Sequence, residues 1–336
     1  MATTATNNTV LTLLDWAKRM DPDGKVPRII EMLAQTNEIL MDMQWKEGNL
    51  PTGHRTTVRT GLPTVAWRLL NRGVVPSKSR TAQIDEQTGI LEAWSEVDVE
   101  LAKLNGDIGQ FRLSEAQAFI EAMNQQLAGT LFYGNTGLVP EEFTGLSPRY
   151  SAISGAANAQ NVLNAGGTGS DNTSVWLIIW GENTVQGIFP KASAAGLQHF
   201  DHGEVTVQNS TGIGTERMRA YQDQFVWKAG IALKDWRYAV RICNIDVSNL
   251  TGETSAADLI KFMIKAYHRI PFMGMGRAAW YMNRTVFEML DIQRFEAVQT
   301  GGQLKYEVVD GVMTPTFRGI PIRKVDQLLL TEAKVA

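Results

Sequence analysis

The 336 residues exceed the size at which one hydrophobic core usually stops growing, so about two domains are expected. Apolar residues at 44% and charged residues at 20% exclude wholesale disorder. A net charge of −3 with no long basic tract argues against a protein whose main task is gripping nucleic acid, which needs clustered Lys and Arg. The single cysteine, Cys243, excludes an intramolecular disulfide framework and fits a reducing compartment; its setting among Arg241, Ile242, Asn244 and Ile245 predicts a buried, inert thiol. No stretch approaches the ~18 apolar residues of a membrane span, and the polar start lacks a basic signal region, so synthesis and use in a cytoplasm, with no membrane partner, are expected.

In chain order, Val10, Leu13, Leu14 and Ala17 mark a short amphipathic helix that the turn Asp21–Gly24 ends. A second helix is predicted from Pro27, with Ile29, Leu33, Leu40 and Met43 at helical spacing before Gly48. From His54 to Arg80 there are six basic residues (Arg55, Arg59, Arg68, Arg72, Lys78, Arg80) and no acidic one. From Thr81 to Ala102 there are six acidic residues (Asp85, Glu86, Glu92, Glu96, Asp98, Glu100) and no basic one, and the stretch alternates from Leu91 to Leu101. The pattern predicts a long two-stranded excursion with a basic and an acidic arm. An isolated hairpin is marginal in water, so it needs a surface to lie on; solvated strands with cross-strand ion pairs are the equally economical alternative.

A long helix follows, with Leu113, Ala116, Ile120, Met123, Leu127 and Leu131 on one stripe, Ser114 as its cap, and Gly129 and Gly134 at its end. Residues 151–174 are poor in charge and loop-like, with a short helix near Asn158–Leu163 as an option. Val175–Trp180 is continuous apolar sequence, as in a strand buried on both faces. Pro190–Gly214 is predicted to be irregular. Alternation marks strands around Phe225–Leu233, Tyr238–Ile242 and Ala278–Met282, and a closing strand over Phe317–Val325. A helix over Ala256–Arg269, capped by Ser255, and another after Asn283 complete an α+β pattern without regular βαβ alternation.

The chain offers no credible catalytic constellation. His199-Phe200-Asp201-His202 lacks the further ligands of a metal site. Gly166–Gly169 lacks the Lys-Ser/Thr ending of a phosphate loop, and Met273–Gly276 lacks a third glycine. Glu141-Glu142 has the look of an ordinary surface pair. No catalytic residue, cofactor or metal is therefore expected.

The stretches LPTGHRTTVRTGLPTVAWRLLN (Leu50–Asn71), EAWSEVDVELAKLNG (Glu92–Gly106), FRLSEAQAFIEAMNQQLAGTLFYGN (Phe111–Asn135), PEEFTGLSPRY (Pro140–Tyr150), GGTGSDNTSVWLIIWG (Gly166–Gly181) and FRGIPIRKVDQLLLTEA (Phe317–Ala333) resemble major capsid proteins of short-tailed double-stranded DNA phages. The likeness runs from about Leu11 to the end. It implies the tailed-phage capsid (Johnson) fold, shared with encapsulins: an N-terminal arm over 1–47, an E-loop over 48–102, and a P-domain over 103–174 with a spine helix over 113–132. An A-domain over most of 175–270 and returning strands over 271–336 would follow.

The resemblance also implies self-assembly into hexamers and pentamers of an icosahedral head around packaged DNA, bound without sequence specificity. An encapsulin-like shell is the alternative. Scaffolding, portal and cementing proteins would be the other partners. In this reading Arg55, Arg59, Arg68, Arg72, Lys78, Arg80, Glu92, Glu96, Asp98 and Glu100 are the candidate inter-subunit contacts, and reversing Glu96 and Asp98 to lysine should spare the fold but impair assembly.

Overall fold

The computed structural model describes residues 35, 37–104, 107–208, 217–252, 256–297, 304–309 and 312–336. The chain forms two compact units, one holding Ile90–Leu127 and Gly196–Lys228, the other Thr36–Gly89, Ala128–Ala195 and Ala229–Ala336. The two helices expected near Val10–Ala17 and from Pro27 lie outside the described residues, apart from the end of the second.

In the larger unit the apolar run is the central strand, Asn172–Trp180, with every residue buried. It pairs antiparallel with Ala239–Asp246 on one side and with Arg277–Met282 on the other. Its alternate side chains Val175, Leu177 and Ile179 join a core with the helices Leu259–Tyr267 and Arg284–Ala297, through Met263, Val286 and Leu290. The opposite side chains Trp176 and Trp180 meet Phe132, Tyr150 and Tyr281, and Trp180 Nε1 donates to Tyr281 Oη at 2.7 Å. Two covered faces explain why this strand is apolar throughout: each fully buried large side chain contributes about 1.5–3 kcal/mol.

Both flanks of the unit are tied to this sheet through buried carboxylates. Asp42, at the end of the helix Ile39–Asp42, accepts from Tyr281 Oη at 2.9 Å and Arg323 Nε at 3.1 Å. The chain then leaves the helix: Met43 is extended, not the last member of a helical stripe, and Trp45–Glu47 pairs in parallel with Gly187–Phe189. Near the other end Glu332 accepts from Arg241, Ser174 and Tyr133.

Capping chemistry corrects three predicted boundaries. The long helix runs Ile108–Tyr133 and starts at Asp107, whose side chain accepts from Gln110 N at 3.0 Å; Ser114 sits inside it and donates to Phe111 O. Gly129 is within the helix, which Gly134 follows. The helix expected from Ala256 begins at Leu259, capped by Asp258 through Lys261 N; Ser255 lies outside the described residues. The closing segment is two strands, Val312–Phe317 and Ile320–Lys324, because Arg318 and Gly319 both take positive φ (53° and 75°) and turn the chain. The predicted helix near Asn158 is a short 3-10 turn, Ala157–Asn161.

The smaller unit holds a sheet in which Leu197–Gln208 pairs antiparallel with the Arg217–Trp227 part of the strand Arg217–Leu233. Much of the region expected to be irregular, Leu197–Gln208, is thus a strand. Its sequence is polar and bulged between Asp201 and Gly203 (φ 70°), which hid the alternation. Phe119 of the long helix stacks on Phe225 at 6.1 Å, and Val97, Ala102 and Phe111 form a small core. Of the stripe placed from sequence, Met123, Leu127 and Leu131 are buried, while Leu113 and Ile120 are 60% and 42% exposed and Phe111, outside the stripe, is buried. Arg112 clamps the outer strands, with Nη2 at 2.6 Å from Asp201 Oδ1 and 2.7 Å from Asp223 Oδ1.

Cys243 is fully buried, and desolvation pushes its thiol up to about 11. At neutral pH little thiolate exists, so a thiol reagent is expected to leave the folded protein unmodified and to label it stoichiometrically in denaturant. Rapid labelling of the folded chain would contradict this placement.

Candidate assembly interface

Gly53–Gly61 and Arg80–Gln87 form an antiparallel ribbon in the register Arg55↔Asp85 and Val58↔Ala82. Arg55 makes a bidentate pair with Asp85, 2.6 Å for each bond, and this raises the arginine and lowers the carboxyl from their usual ranges. Both side chains are about half exposed, so the pair contributes register more than stability.

Beyond Gly61 the chain is extended without ladder bonds, turns at Leu69–Arg72 with Asn71 at φ 63°, and returns to Arg80; Ser77 Oγ donates to Thr64 O across the tip. Eighteen residues from Gly53 to Leu70 could reach at most about 60 Å. Every residue from Leu62 to Ser79 is exposed, and the apolar ones stand out. Leu62 is 82% exposed, Val65 88%, Trp67 103%, Leu70 90% and Val75 84%. Exposed apolar groups of this kind are candidates for a contact surface. Arg59, Arg68, Arg72, Lys78 and Arg80 lie on the same excursion, exposed and with no ion pair among the described residues.

The acidic half runs on past the returning arm, which holds only its first two acidic residues, Asp85 and Glu86. Its alternating strand, Gly89–Asp98, pairs with Arg217–Leu233, and the strand ends at Asp98 because that side chain caps the helix Val99–Lys103, accepting from Glu100 N at 2.7 Å and Leu101 N at 3.3 Å. Glu92 accepts from Trp94 Nε1 and Gln224 Nε2, Glu96 from Gln222 Nε2, and Glu100 pairs with Lys103 at 3.1 Å. These four acidic residues are thus engaged inside their own unit. Reversing Glu96 with Asp98 is therefore a poor test of assembly. Asp98→Ala alone is expected to cost about 1 kcal/mol by removing the cap. A denaturation midpoint equal to wild type would show the cap to be idle.

Sequence reasoning followed charge and missed the apolar tip residues. A signal was available: seven large apolar residues between Leu62 and Val75, interrupted by Pro63, Gly73 and Pro76, fit neither a helix nor a strand period. The His-x-x-His pair lies on a strand, with His199 Nε2 2.8 Å from Asp223 Oδ1 and His202 stacked on Trp94 at 5.4 Å. Among the described residues no group of three His, Cys, Asp or Glu is placed to hold a metal, and no helix is long and apolar enough to cross a membrane.

The family model of the major capsid protein GP7 matches residues 21–336. The chain belongs to this capsid protein family. A structure of bacteriophage Epsilon15 contains a chain 34% identical to it, with 99% of each covered and a TM-score of 0.79. The bacteriophage JBD30 capsid is 11% identical, covering 89% of this chain and 93% of that one, with a TM-score of 0.46. The SrpI encapsulin of Synechococcus elongatus PCC 7942 is 10% identical, covering 70% and 97%, with a TM-score of 0.44. No curated protein matches. The molecule is thus a phage major capsid protein with the α+β tailed-phage capsid fold, a component of the virion shell that associates with its own kind.

Proposed function

We propose that this capsid protein builds its head from hexamers and pentamers, and that the hairpin tip is the part of each subunit that lies on a second copy. The exposed apolar tip carries this reading: Trp67, Leu70 and their neighbours are left uncovered by the described residues. A shell supplies a neighbour in a fixed place, and many weak contacts compound across it. The family's domain names then apply, with the excursion as E-loop and the long helix as spine of the P-domain. The five exposed cations would steer docking, and double-stranded DNA would be enclosed without sequence-specific contacts. Scaffolding, portal and cementing proteins are further partners on this reading, and the role is structural, not catalytic. Electron microscopy of the full chain expressed in bacteria is expected to show closed particles with five- and six-fold capsomers. Sheets of hexamers alone would remove the pentamers, and a persistently monomeric chain would overturn the proposal.

A further inference from the structure

The hairpin is long and its tip is exposed. Among the described residues, the hydrogen bonds that run from its two strands to anything beyond the adjoining segments all end on one side chain, Glu86. Its carboxylate takes both guanidinium nitrogens of Arg149, at 2.5 and 2.6 Å, and lies 3.5 Å from Leu233 N. Arg149 is fixed in turn, donating to Gly145 O at 3.1 Å and Thr144 O at 3.0 Å. The paired side chains are only 7% and 17% exposed. Farther out, Thr56, Val58 and Ile84 face Asn158 and Trp236 across a groove of about 980 Å³, so packing does not take over where the ion pair ends. A bidentate arginine–carboxylate pair fixes angle as well as distance.

We infer that the Glu86–Arg149 pair is the positioning device that aims the hairpin, so that the tip meets the next subunit in one orientation. The inference rests on the reading of the tip as a contact with a second copy. If the latch is loosened, the docking-competent fraction of hairpins falls, and apparent affinity falls in the same proportion, about tenfold for a fraction near one tenth.

The test places spin labels on Lys78→Cys and Lys191→Cys, one on the tip and one on the body of the same unit, in the unassembled full chain with and without Glu86→Gln. The variant is expected to keep a cooperative thermal transition, to broaden the label-to-label distance distribution, and to lower particle yield about tenfold. Glu86→Asp, which keeps the charge, should fall between. If Glu86→Gln does not fold, Arg149→Lys carries the same measurement. An unchanged distribution overturns the inference whatever the yield, and a broadened one with normal particles overturns its link to assembly. Trp67→Ser separates the two ideas: it should leave the distribution narrow while blocking particles. Normal particles from Trp67→Ser would defeat the docking reading and leave the latch measurement standing.

Discussion

Glu332→Ala is expected to destabilise the larger unit by about 3–5 kcal/mol, because it strands a buried guanidinium without its counter-charge. Glu332 and Arg241 are 4% and 5% exposed and meet at 2.8 Å. The second carboxylate oxygen takes the Tyr133 hydroxyl at 2.5 Å, and Ser174 Oγ adds a bond to the first. Burial, then the neighbouring Glu332 charge, raises the Tyr133 pKa, so that phenol stays a donor. Arg241 reaches back to Tyr150 O at 3.1 Å and lies over the Trp176 ring at 5.3 Å. One carboxylate near the chain's end thus joins the central strand, its neighbour and the end of the long helix. Losing both charges is less harmful than losing one, since two apolar side chains leave no uncompensated ion. The double variant Arg241→Met/Glu332→Leu should therefore melt above either single variant. Urea denaturation followed by tryptophan fluorescence measures this, and single variants as stable as wild type would show the network to be passive.

Trp67→Ala is expected to leave the subunit's melting unchanged and to raise the concentration needed for assembly about a hundredfold. The side chain is 103% exposed, so it has no packing among the described residues to lose. Covering a tryptophan buries roughly 150–250 Å², worth several kcal/mol at about 25 cal/mol per Å² before ordering costs. A net loss of about 3 kcal/mol per contact corresponds to that hundredfold. Charge changes on the tip should act differently. Reversing Arg68 and Arg72 is expected to slow assembly and alter its salt dependence more than the stability of finished particles. Light scattering against protein concentration reads both effects. A Trp67→Ala chain that assembles like wild type would mean the tip packs on nothing.

Local chemistry made much of the fold legible. The run Val175–Trp180 could only be covered on both faces, and the alternation at Phe225–Leu233 and the step after Asn283 each had one reading. Legibility failed where a residue's role depended on what lay across from it. Leu113 and Ile120 sit at helical spacing with the buried Met123 and Leu127, yet they are exposed, while Phe111 is buried. Arg241 was hidden in an apolar run because its partner, Glu332, is 91 residues away. The site was half visible: the basic excursion was found, while its acidic counterpart proved to be a strand of another sheet ending in a cap at Asp98.

Composition, apolar periodicity and extended likeness to capsid proteins were enough to determine an α+β shell protein with a long charged excursion. Those properties are written residue by residue, in side-chain polarity and spacing. Tertiary structure alone decided that the return arm is Arg80–Gln87, that the tip's apolar residues are exposed, and that Glu86 pairs with Arg149. Strand pairing and ion pairing join residues far apart in sequence, and their energies depend on burial that no local pattern records.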